Sequence, residues 1–179
     1  MHGLVSYLVA AMTSWVPLYA QGEPRDETAA RYESIAQDAV SVAYDESERP
    51  LFGGSTGRAQ TALLMLSVAS FESAFRKNVD DGTRLGDHGH SYCLMQIRVG
   101  DGTTGEGWTG SELIADRTRC FRAALHILRG SFAACRRLPT IDRMSAYATG
   151  SCSEGAEASR LRVGRALQWW DTHLKPTDA

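Results

Sequence analysis

From Ala59 to Phe71 the chain carries no charge, and the first ionisable side chain after Arg58 is Glu72. Ala59, Ala62, Leu63, Leu64, Met65, Leu66, Val68, Ala69, Phe71 and Phe75 point almost all round a helix of period 3.6 instead of forming one stripe. A helix of that kind is stable only when other elements surround it. The run therefore predicts a central helix from Gly57 to Ala74, with the rest of the chain packed on it. Ser55 or Thr56, at the end of the turn from Pro50 to Gly57, supplies an N-cap.

The remaining pattern provides elements to do the surrounding. Tyr32, Ile35, Ala36, Ala39, Val42 and Ala43 recur at helical spacing and predict a helix from Asp26 to Ala43. Leu113, Cys120, Phe121, Ala124, Leu125, Leu128 and Phe132 predict one or two helices between Ser111 and Arg137. Pro139 and Asp142 start a short helix to Ala148, and Val163, Ala166, Leu167, Trp170 and Leu174 mark a last one from Ala156 to Leu174. Between them lie glycine-rich loops at 78–91 and 100–110, with Tyr92 to Val99 extended. The fold class expected is mainly α, with a small loop-and-strand region after Glu72. With 179 residues, 43% of them hydrophobic and 22% charged, the chain can bury one real core, which we assign to residues 25–179.

Residues 1–24 form an apolar lead. Its apolar run of about sixteen residues is short for a membrane span. No Lys or Arg precedes it, and Leu-Tyr-Ala is a poor cleavage site, so it reads either as signal-like or as a retained helix packed on a partner or on the domain.

Net charge is −2, which gives no bulk attraction for nucleic acid. The charge is uneven, however. Glu23 to Arg49 holds eight acids against three arginines, and Asp116 to Arg143 holds seven arginines against two acids. These are either two solvated helix faces or a basic side that meets an anionic polymer. GGSTGR at 53–58 lacks the Gly-Lys-Ser/Thr ending of a phosphate loop. Cys93, Cys120, Cys135 and Cys152 contain no Cys-x-x-Cys pair, which argues against a zinc ribbon. They are either buried thiols or up to two disulfides formed in an oxidising compartment. Cys120 and Cys135 on one helix would lie about 22 Å apart, too far to bridge.

A carboxylic acid at the C-terminal end of a buried helix meets desolvation and a negative dipole end, which both disfavour its charged form. An acid kept protonated in this way can donate to a leaving oxygen, as glycosidic cleavage requires. On pattern alone, Glu72 is either such an acid or a solvent-facing group on the last turn.

ESAF at 72–75, CLMQI at 93–97 and AYATG at 146–150 occur in the order and spacing of the lytic transglycosylase catalytic domain, a relative of goose-type lysozyme. DRTRCFRAALHIL at 116–128 resembles the intervening family helix in looser form, and the resemblance spans about residues 57–170. It implies a lysozyme-like fold and cleavage of the β-1,4 bond between N-acetylmuramic acid and N-acetylglucosamine in peptidoglycan glycan strands. It implies no cofactor and no metal. Glu72 would be the catalytic acid and base; Ser73, Met95, Gln96 and Tyr147 would bind or support substrate. Such domains act outside the cytoplasm, as periplasmic enzymes, secretion accessories or virion parts, and the apolar lead could contact other proteins of such an apparatus.

The sequence departs from the family in three places. Cys93 replaces a glycine, which suggests a disulfide beside the cleft with Cys152 as partner. Ala148 replaces an asparagine, which removes a polar contact to sugar and leaves room for a catalytically weak, structural role. Asp81 and Asp87 sit in the titratable loop, where either could activate water and make the enzyme an inverting hydrolase. His88 and His90 of that loop read as solvent-exposed. Trp108, Trp169 and Trp170 could stack on sugars; Trp170 fits the core face of its helix, and Trp108, in a glycine loop, either touches glycan or does not.

Overall fold

The computed structural model describes residues 2–99 and 102–173. It contains α1 (His2–Trp15), α2 (Arg25–Tyr44), α3 (Gly57–Glu72), α4 (Lys77–Asp80), a hairpin of β1 (Ser91–Tyr92) and β2 (Ile97–Arg98), α5 (Gly110–Ala115), α6 (Arg117–Ala134), α7 (Ser145–Thr149) and α8 (Ala156–Thr172). The fold is mainly α, as the periodicity predicts.

Helix α3 is central. Every residue from Thr61 to Ser70 is buried, and α1, α2, α6 and α8 all pack on it. Its few hydroxyls are satisfied. Thr61 donates to Gly57 O at 2.7 Å, Ser70 to Ser67 O at 2.6 Å, and Ser67 reaches across to Arg162 O on α8 at 2.7 Å. Thr56 occupies the N-cap position without a side-chain cap bond. Helix α8 presents Ser159, Val163, Ala166 and Trp170 to the core; Leu174 lies outside the described residues.

Leu4, Leu8, Ala11 and Met12 of α1 are buried in the same core cluster as α3. The apolar face of the lead is thus turned inward, onto α2 and α3. Among the described residues no helix is long and apolar enough to cross a membrane.

The two charged stretches face each other, a pairing that the one-dimensional pattern does not reveal. Arg117 of α6 bridges Asp38 of α2 at 2.7 Å and Asp80 of α4 at 2.8 Å. Arg122 meets Asp45 at 2.6 Å, and Arg129 meets the buried Glu48 at 2.9 Å. Much of the basic excess is therefore paired with acids of α2, α4 and the segment after α2.

Helix α6 begins at a strong cap. Asp116 accepts from Thr118 N at 2.9 Å, from the Thr118 hydroxyl at 2.6 Å and from Arg119 N at 3.4 Å. The Thr118 hydroxyl, followed by these backbone donors, holds the Asp116 carboxyl below its usual range. Asp116→Ala should cost about 1 kcal/mol, or roughly 2–4 °C in Tm for a chain of this size. Because the folded value is depressed, this contribution is present above the unfolded aspartate value near pH 4 and is lost as pH falls through the folded value. Thermal scans of both proteins across that range should converge in acid.

Candidate active site

Helix α3 ends by delivering Glu72 to a cleft. Ser73 closes the helix, with its N–H and its hydroxyl both donating to Ala69 O at 2.9 Å, and its Oγ accepts from Phe75 N at 3.2 Å. Ala74 and Phe75 then adopt left-handed φ of 50° and 52°. Such backbone is costly for residues with a Cβ and persists only where the surroundings impose it. Here Gln21 donates to Ala74 O at 3.0 Å, Arg31 donates to Phe75 O at 2.5 Å, and the Phe75 ring is buried against Tyr32. The chain therefore turns sharply just after Glu72 and leaves that side chain at the surface of an otherwise buried helix.

The hairpin forms the facing wall. Residues 93–96, expected to be extended, instead fold back as its turn, with Cys93 and Gln96 at φ of 59° and 47°. Cys93, Leu94 and Met95 point into the core. Asp87 and His88, in the loop before β1, are also left-handed. These four, with Ala74 and Phe75, are all the non-glycine residues with positive φ among those described, and all lie on the two segments that frame the cleft. Gly86 permits the loop to close, because a Cβ there would stand 1.8 Å from Gln96 Oε1.

The cleft holds about 470 Å³ and is lined by Glu72, Asp87, Ser91, Gln96, Ile97, Arg98, Ile127, Tyr147, Ala148 and Arg162. Glu72, Gln96 and Tyr147, one from each of the three motifs, thus meet at one opening. Gln96 Nε2 donates to Cys93 O at 3.0 Å, and Tyr147 O–H donates to Met95 O at 3.0 Å. Burial, then the Glu72 charge, pushes the Tyr147 hydroxyl far above its usual value, so it stays a neutral donor.

The other expected site residues sit elsewhere. Ser73 is buried and spends its hydroxyl on backbone. Met95 is buried and faces the site only through its carbonyl. Asp81 is exposed, holds Thr83 N at 3.0 Å and the Thr83 hydroxyl at 2.7 Å, and does not line the cleft. Asp87 does line it, accepting from the Ser91 hydroxyl at 3.3 Å. His88 and His90 are exposed, and no metal-binding cluster occurs among the described residues. Trp108 is half-buried against the core, with Arg119 5.8 Å from its ring centre.

Arg162, which belongs to none of the three motifs, completes the site. From α8 it donates to Glu72 Oε1 through Nη2 at 2.8 Å and Nε at 3.1 Å. The carboxylate is thus not left alone in an apolar surround. Oε1 is committed to the guanidinium, and Oε2, with no partner among the described residues, is the oxygen available to a ligand. Arg162 and Arg165 each precede a buried residue of α8, Val163 and Ala166, but nothing in that spacing names Glu72 as a partner.

The expected Cys93–Cys152 bridge does not form. Cys93 pairs with Cys120, tying the hairpin turn to α6, and Cys135 pairs with Cys152, tying the end of α6 to the segment after Tyr147. No described cysteine is free. Two disulfides fit folding in an oxidising compartment. No family model, curated protein or solved structure matches the chain.

Proposed function

We propose that the chain is a peptidoglycan lytic transglycosylase, with Glu72 as its catalytic acid and base. The observation that carries this reading is the convergence of Glu72, Gln96 and Tyr147 on one cleft from segments 24 and 51 residues apart (96 − 72; 147 − 96). Strained backbone confined to the cleft's frame supports it, since such strain collects at functional sites.

The chemistry is complete with one carboxyl. Glu72 Oε2 gives its proton to the oxygen that bridges muramic C1 to the next sugar, and the C1–O bond breaks. The muramic 2-acetamido oxygen stabilises the oxocarbenium-like C1. Glu72, now a carboxylate, takes the proton from the 6-hydroxyl; O6 bonds to C1 and closes a 1,6-anhydro ring, consuming no water. Arg162 holds Oε1 in place through both halves. Tyr147 braces the Met95 carbonyl and thereby the hairpin wall. Tyr147→Phe should lower kcat about tenfold to a hundredfold by loosening this geometry, with only about 1 kcal/mol lost in stability; steady-state kinetics beside a thermal melt would separate the two.

A second reading rests on Asp87, which shares the cleft with Glu72. If Asp87 activates water, the enzyme is an inverting hydrolase. Mass spectrometry of a digest of purified peptidoglycan decides between them. Products ending in 1,6-anhydro-muramic acid, still formed by Asp87→Asn, establish transglycosylation. Products heavier by one water and lost in Asp87→Asn establish hydrolysis. No products at all would refute both.

A further inference from the structure

A second groove, of about 630 Å³, lies between α1 and α8, lined by residues including Trp15, Phe71, Leu161, Arg165 and Trp169. It adjoins the cleft through Phe71, the residue before Glu72. The guanidinium of Arg162, which holds Glu72, lies 5.0 Å from the Phe71 ring centre, and that of Arg165 lies 3.8 Å from it. Phe71 therefore stands between Arg162, which lines the cleft, and Arg165, which lines the groove; the groove's other arginine, Arg160, is paired with Asp142 at 2.7 Å.

Arg165 is half-buried, yet no carboxylate among the described residues lies within 4 Å of it. Its one hydrogen bond goes to the Ser70 hydroxyl at 2.7 Å. Its remaining N–H groups have no partner among the described residues and are not sealed from solvent. Burial, with Arg162 nearby, lowers its affinity for the proton. A guanidinium kept half-desolvated beside a second cation, with no anion of its own, is costly. Its planar fork suits a carboxylate. The walls that accompany it are mixed: Trp15, Phe71, Trp169 and Leu161, the last 52% exposed, supply apolar surface, and Gln168 and Thr172 supply polar groups.

We propose that this groove binds the peptide stem of peptidoglycan, with Arg165 taking a stem carboxylate. The inference rests on the glycan-cleaving reading, because it uses the position of the muramic sugar. That sugar carries the reacting C1 and bears the stem on its lactyl group, so a sugar bound at Glu72 starts its peptide beside Phe71. The stem combines free carboxylates with small apolar side chains, which is the chemistry the groove offers. An uncharged glycan such as chitin would fill the cleft and leave the groove empty.

The test is calorimetric binding to the Glu72→Gln protein, which holds substrate without turning it over, using a disaccharide–tetrapeptide and the same disaccharide without peptide. The peptide-bearing ligand should bind about tenfold or more tightly than the bare one, the effect of one charge-assisted contact. Adding Arg165→Ala should erase that difference and leave the bare disaccharide's affinity unchanged; Arg165→Lys should restore part of it. Equal affinities for the two ligands, equal weakening of both by Arg165→Ala, or no binding of either at millimolar concentration overturns the proposal. Should wild type fail to cleave peptidoglycan while Arg165-dependent binding persists, the groove stands and the cleavage reading falls.

Discussion

Glu72→Gln should reduce release of soluble fragments from purified peptidoglycan by about 10³-fold, within the range that a general acid–base group supplies. The loss is large because the same side chain is needed twice, to protonate the leaving oxygen and then to deprotonate the 6-hydroxyl. Glutamine matches its shape and can still accept from Arg162, whose two bonds go to Oε1 alone. What it cannot do is carry a transferable proton. The fold should survive, since the exchange weakens one partly exposed ion pair, with a cost of about 1–2 kcal/mol. Near-wild-type turnover in this variant, with a normal thermal melt, would sink the assignment of Glu72 and with it the proposed mechanism.

That contrast also shows which parts of the site could be read in one dimension. The uncharged run before Glu72 names a buried helix because burial is a property of each residue's own side chain, summed over a known period. The same holds for Val163, Ala166 and Trp170, which form the core stripe expected of α8. Pairings across the chain have no such local mark. Arg162 reaches Glu72 over ninety positions, and Arg117 meets Asp38 over seventy-nine. Nothing in either neighbourhood states the partner. The turn at 93–96 hid for another reason. Cys93 to Ile97 looks like an apolar strand, but Cys93 and Gln96 take left-handed backbone that sequence propensity assigns to glycine or asparagine. The Cys93–Cys120 bridge to α6 and the contact of Gly86 with Gln96 help impose that conformation.

Removing both disulfides should destabilise the chain more than any other change considered. Cys93–Cys120 spans 27 positions and Cys135–Cys152 spans 17. Loop-closure entropy gives about 3 kcal/mol for each. Together they amount to about 6 kcal/mol, a large part of the roughly 5–15 kcal/mol that holds a domain folded. Replacing one pair by serine should lower Tm by about 6–12 °C, and replacing both should leave much of the chain unfolded near body temperature. The two bridges should differ in function. The Cys135–Cys152 loop contains Tyr147, so its loss should depress activity by loosening the hydroxyl that braces the Met95 carbonyl. The Cys93–Cys120 bridge anchors the turn that carries Gln96, so its loss should weaken substrate binding. Intact mass after alkylation without reductant, followed by thermal scans with and without it, measures each step. Four alkylated thiols in protein made in an oxidising compartment would show that neither bridge forms, and a melt indifferent to reductant would show that the helical core holds the fold by itself.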